Sequence, residues 1–157
     1  FMAATTTAFN NLLARLRKAF PHISFSEGEQ FRWSPSTQTV FYTLTDNELA
    51  TLLHETAHAT LQHTGYSHDI DLIHLEREAW NKTVELGKQF GVEIDDEAVE
   101  EALDTYRDWL HARSLCPRCQ QNGVQSSENT YTCVICGQEW SVNDARSCGL
   151  KRRKITK

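Results

Sequence analysis

The chain holds 157 residues, 39% of them hydrophobic and 24% charged, with three prolines and seven glycines. That is an ordinary globular composition and excludes a collagen-like or low-complexity chain. Mean hydropathy is −0.52, and no run approaches the roughly 18 consecutive apolar residues of a membrane helix, so no membrane partner is expected. The net charge of −5 conceals a division: residues 1–110 carry 8 Lys and Arg against 18 Asp and Glu, whereas residues 111–157 carry 8 against 3. Two units with different partners are expected from a net −10 followed by a net +5.

Phe1 stands before Met2 and reads as a tag remnant. Ala3–Thr7 lacks the basic and long apolar regions of a secretory signal, which makes the cytoplasm the expected compartment. Residues 5–20 form an amphipathic pattern, with Phe9, Leu12, Leu13, Leu16 and Phe20 at helical spacing and Pro21 just beyond. Short β-like runs follow at 22–25, 31–33 and 39–43, separated by turn residues. Thr45-Asp46-Asn47-Glu48 has the form of a capping box, predicting a helix from there to about Gly65. Further helices are predicted over 69–90, stopped by Gly91, and over about 95–111, where acidic residues suit the positive end of the helix dipole.

His54-Glu55-Thr56-Ala57-His58 lies within the first of these three helices. Positions 54 and 58 project from one face a turn apart, so two imidazoles are placed to share a metal ion. Glu55 is rotated off their line, near enough to take a proton from a water that the metal has acidified, as a general base. A catalytic metal needs a third protein ligand. A third histidine six residues after His58 is ruled out, because position 64 is Thr and His63 falls one short. On the next helix, at about 100° per residue, Leu72, Leu75, Ala79, Thr83, Leu86 and Phe90 form one stripe that includes Glu76. Glu78 falls opposite, with Lys82, Glu85 and Gln89. A carboxylate on a core-facing stripe is costly without a cation, which favours Glu76. His68 and His74 remain as loop candidates, and Tyr42 and Tyr66 as groups to polarise a carbonyl. His22, His63 and His111 read as structural or solvated, and Trp33, Trp80, Trp109 and Trp140 as packing.

The stretch Leu53-His54-Glu55-Thr56-Ala57-His58, with Leu61, His63 and Glu76-Arg77-Glu78-Ala79, resembles the ImmA/IrrE-type metallopeptidases over roughly residues 35–90. The resemblance implies zinc held by His54, His58 and Glu76, with Glu55 as catalytic base. It also implies transcriptional repressors as a substrate class, often with a helix-turn-helix partner.

All five cysteines lie beyond residue 115. Cys116-Pro-Arg-Cys119 and Cys133-Val-Ile-Cys136 are separated by 13 residues, the spacing of a zinc ribbon whose four thiolates hold one structural ion. Gly123 and Gly137 suit tight turns, and 130–132 and 139–142 suit short strands. Cys148 is a free thiol or a substitute ligand. The basic ribbon and the tail Lys151-Arg152-Arg153-Lys154, with Lys157, are candidates for phosphate contact with DNA.

The expected fold is therefore α+β: a small helix-rich metallopeptidase domain with a short β-sheet over 3–112, a zinc ribbon over 113–150 and a basic tail over 151–157. The expected cofactors are one catalytic and one structural Zn2+, and the expected reaction is hydrolysis of a protein or peptide whose strand adds to an edge formed by Thr39–Thr43. Two other readings stand beside it. One is a SprT-type protease acting on DNA-bound proteins, whose more distant histidine ligand His68 and His74 match poorly. The other is a non-catalytic adaptor that binds nucleic acid or protein.

Overall fold

A computed structural model describes residues 2–45, 48–146 and 148–156, with side chains from residue 7 onward. The fold is α+β, with four helices and two small sheets among the described residues. The elements are α1 (Met2–Ala19), β1 (Ser24–Glu27), β2 (Arg32–Ser34), β3 (Thr39–Tyr42), α2 (Leu49–Thr60), α3 (Asp69–Phe90), α4 (Asp96–Ser114), β4 (Val124–Ser127), β5 (Thr130–Thr132), β6 (Glu139–Val142) and β7 (Arg152–Ile155). They form two compact units, Phe1–Gly65 with Arg77–Asp96 and Tyr66–Glu76 with Glu97–Lys157.

In the first unit the apolar face of α1 (Phe9, Leu12, Leu13, Leu16) joins Val40, Leu52, Leu53, Ala79 and Leu86 in one core. The three-stranded sheet has the order β1-β3-β2, with β1 parallel and β2 antiparallel to β3. This corrects the expected peptide-binding edge: Thr39–Tyr42 is the central strand, paired on both sides, and the outer strands are β1 and β2. A parallel β1–β3 pair requires the chain to cross over, which local patterning does not encode. Tyr42 is likewise a core residue, packed against Phe9 and accepting a hydrogen bond from Arg17.

Helix α2 starts later than the capping box predicts. Glu48, extended at φ −80°, is the N-cap and makes no side-chain cap; its carboxylate instead accepts the Thr51 hydroxyl at 2.6 Å. Asp46 and Asn47 of the expected box lie outside the described residues. The helix ends at Thr60, with Gln62 left-handed at φ 54°. Gln62 N–H donates to Ala59 O and His63 N–H to His58 O, each at 3.1 Å. This is a Schellman closure, which folds the residue after the left-handed one back against the last turn.

The second unit is built around a buried ion pair. The Asp69 carboxylate accepts Arg113 Nε at 2.7 Å and the Tyr131 hydroxyl at 2.5 Å, and Asp69 N–H donates to Gln125 Oε1 at 2.7 Å. Arg113 donates further to Asn129 Oδ1 and Asn143 O, and its carbonyl accepts the Trp140 indole at 2.9 Å. So complete a set of partners is what makes a buried charge pair tolerable. Strands β4-β5-β6-β7 form an antiparallel sheet over Tyr131, Trp140 and Val142. Gly123 is required there by close approach, since a Cβ would lie 2.5 Å from the Trp140 ring and 2.7 Å from Thr132 O. Gly137 does occupy a positive φ, 75°. The basic stretch supplies β7, so Arg152–Ile155 pairs with β6, and Arg152 also donates to Leu115 O. Lys157 lies outside the described residues.

Burial pushes the Tyr131 hydroxyl pKa up, and donation to the Asp69 carboxylate pushes it further. The folded chain therefore holds that proton more tightly than the unfolded one. The stability it contributes is complete below about pH 10, where an unfolded tyrosine ionises, and is lost as the pH rises beyond it. Urea unfolding at pH 8 and pH 10.5 should show a larger alkaline loss for the wild type than for Tyr131→Phe. Equal losses would place the alkaline sensitivity elsewhere.

Candidate metal centres

Two groups of side chains converge on points where a metal ion fits. The first is His54, His58 and Glu76, whose ligand atoms lie within 4.8 Å of one another. Helix periodicity puts His54 and His58 one turn apart on α2 with their Nε2 atoms 3.2 Å apart. A tetrahedral shell with nitrogens at about 2.0–2.1 Å from zinc spaces them about 3.3 Å apart, so the pair fits such an ion. Glu76 is only 7% exposed, as its place on the apolar stripe of α3 predicts. Glu78, the competing carboxylate, is 63% exposed and meets His63 instead. His68 and His74 are exposed and stand outside the group.

The surrounding side chains orient the two imidazoles. Thr83 Oγ1 donates to Ala79 O at 2.7 Å, which leaves its lone pairs facing His54 Nδ1 at 3.3 Å. His54 is therefore the donor through Nδ1–H, and its Nε2 carries the lone pair that a metal requires. Trp80 stacks on the His54 ring with centroids 4.0 Å apart. His63, 8% exposed, meets His58 Nδ1 through its own Nδ1 at 2.9 Å and Glu78 Oε2 through Nε2 at 3.1 Å. Sequence reasoning missed Thr83, Trp80 and His63. Thr83 had a visible signal, since it falls on the same face of α3 as Glu76. Glu55 is half-buried beside His54, and its carboxylate makes no hydrogen bond or ion pair with another described residue.

The second group is Cys116, Cys119, Cys133 and Cys136. Sγ atoms stand 3.7 Å apart for Cys116–Cys136 and 3.4 Å for Cys119–Cys133. Four thiolates about 2.3 Å from a tetrahedral ion would be spaced about 3.8 Å apart. Both knuckles fold alike. Cys116 N–H donates to Gln121 O and Cys133 N–H to Gln138 O, while Gln120 N–H and Gly137 N–H return to the carbonyls of Cys116 and Cys133. Gln120 and Gly137 hold matching left-handed positions, at φ 64° and 75°. The sulphurs ionise unequally. The Cys136 backbone amide leads in lowering Cys133 to about 6, against the effect of burial. For Cys119 the Gln121 amide pulls down, yet the thiol is pushed up to about 12 by its hydrogen bond with Cys133 and by burial. Cys148 is exposed and outside the group.

No helix among the described residues is long and apolar enough to cross a membrane. No protein-family model, no curated protein and no solved structure matches the chain.

Proposed function

We propose that the chain is a zinc-dependent endopeptidase of the ImmA/IrrE type that carries a structural zinc ribbon. The observation that supports this reading is the convergence of two imidazoles and one buried carboxylate beside the uncommitted carboxylate of Glu55. Two histidines and a glutamate are a common ligand set of catalytic zinc, whereas four cysteines are a structural set. Bound by His54, His58 and Glu76, zinc supplies a Lewis acid that acidifies water and polarises a peptide carbonyl.

The remaining work falls to the chain. Glu55 takes a proton from the attacking water as the oxygen bonds to the carbonyl carbon. It then delivers that proton to the amide nitrogen as the C–N bond breaks. Thr83 keeps the His54 ring in the tautomer that ligates. Strand β2, an outer strand of its sheet and packed by α2, is the edge along which an extended peptide pairs. A transcriptional repressor is the proposed substrate class, in line with the resemblance.

Metal analysis and hydrolysis of an unstructured protein such as casein test the reading together. The wild type should hold two zinc ions per chain and His58→Ala one. Glu55→Gln should keep both ions while hydrolysis falls by about 10²–10⁴-fold. A Glu55→Gln chain that cleaves at the wild-type rate would remove this site from the reaction.

A further inference from the structure

We infer that His63 and Glu78 form a positioning relay that fixes His58 as a metal ligand, an inference that rests on the reading of His54, His58 and Glu76 as a metal site. The hydrogen-bond chain runs from Glu78 Oε2 to His63 Nε2 at 3.1 Å and from His63 Nδ1 to His58 Nδ1 at 2.9 Å, and His58 Nε2 then faces His54 Nε2 at 3.2 Å across the metal position. Its direction follows from the chemistry of the ends. An ionised carboxylate only accepts, so His63 carries its proton on Nε2. In a neutral imidazole the lone pair then sits on Nδ1, which makes His63 the acceptor toward His58. His58 donates through Nδ1–H and is left with a lone pair on Nε2, the atom that faces the metal position. The reverse arrangement would set two lone pairs against each other at the carboxylate and put the His58 proton on the ligating nitrogen.

The fold holds the relay from several sides. The Schellman closure of α2 places His63 against His58 through the bond from His63 N–H to His58 O. The Trp33 indole on β2 donates to His63 O at 2.9 Å. The imidazole is buried, while Glu78 stands at the surface with 63% exposure, so the carboxylate is anchored by the histidine and not by packing. A carboxylate behind a ligating histidine is a recurrent way of fixing tautomer and ring angle, and its loss typically lowers metal affinity by about 10–100-fold. Here a second imidazole is interposed, so the carboxylate acts at one remove. His63 and Glu78 touch neither the metal position nor the reacting atoms and are positioning residues.

Zinc extraction from the full chain by graded amounts of a competing chelator reads the affinity of the histidine site directly. His63→Leu should weaken that site by about 10–100-fold. His63→Asn should restore most of the loss, because its Oδ1 takes the place of Nδ1 as acceptor for His58. Leucine and asparagine are close in size, so a role in packing alone would not separate them. Glu78→Ala, at an exposed position that leaves the core intact, should also weaken the site. The relay is overturned if His63→Leu and Glu78→Ala bind as tightly as the wild type, or if leucine and asparagine at 63 weaken binding equally. A wild-type chain that releases only one zinc overturns the metal reading of His54, His58 and Glu76 itself, a different result.

Discussion

Cys133→Ser is expected to remove one metal ion per chain and to melt β4–β7 as a unit. The core of that sheet is Tyr131, Trp140 and Val142 together with the cysteines themselves, too little apolar surface to hold about 45 residues without a staple. Structural zinc in small domains contributes about 10–16 kcal/mol of binding free energy, which there is folding free energy. Replacing one thiolate by a hydroxyl therefore removes far more than a hydrogen bond. Trp140, fully buried, reports the change: its fluorescence should shift to that of a solvated indole while α1 and the first sheet keep their circular dichroism. Cys148→Ser, at an exposed thiol, should leave both the metal count and the fluorescence unchanged. Retention of wild-type zinc by Cys133→Ser would show that the four cysteines do not form one site.

The second large effect is expected at Arg113. Arg113→Met keeps much of the side chain's length and its contact with Trp109, where the guanidinium lies 4.9 Å from the ring. It strands the Asp69 carboxylate in a site only 4% exposed. Removing one member of a buried ion pair costs about 3–5 kcal/mol, most of it the penalty of the charge left behind. Adding Asp69→Asn removes that charge, so the double variant should be more stable than the sum of the two single losses predicts. Denaturant unfolding of the four proteins measures both quantities. Additive losses would mean that the two charges do not act as a pair.

Local signals in the sequence located most of the elements and most of the residues that converge in the two candidate metal centres. The period of α3 distinguished Glu76 from Glu78 by burial alone, and the paired Cys-x-x-Cys spacing located the sulphur group. The turn of the second knuckle at Gly137 and the strands around Tyr131 and Trp140 also follow from short-range patterning, whereas the first knuckle turns at Gln120 and not at Gly123. What remained hidden depends on closure between distant positions. His63 read as a structural or solvated histidine because its partners, His58 and Glu78, meet it only after Gln62 adopts a left-handed turn and α3 folds back. The central place of β3 depends on a parallel pairing with β1 that skips β2. The capping box failed for a local reason: Glu48, which the motif would place inside the helix, is the extended residue that precedes it. The network around Asp69 was equally invisible, since its partners lie 44 and 62 positions farther on.

That last separation bears on how the molecule is made. On the ribosome Asp69 emerges long before Arg113 and Tyr131, so early in synthesis its carboxylate must stay hydrated and cannot enter an apolar setting. The segment 66–76, which carries Glu76, belongs with 97–157 and not with the residues translated just before it. Its contacts with 97–157 therefore form only once those residues have been synthesised, after all the residues of the first unit are already available.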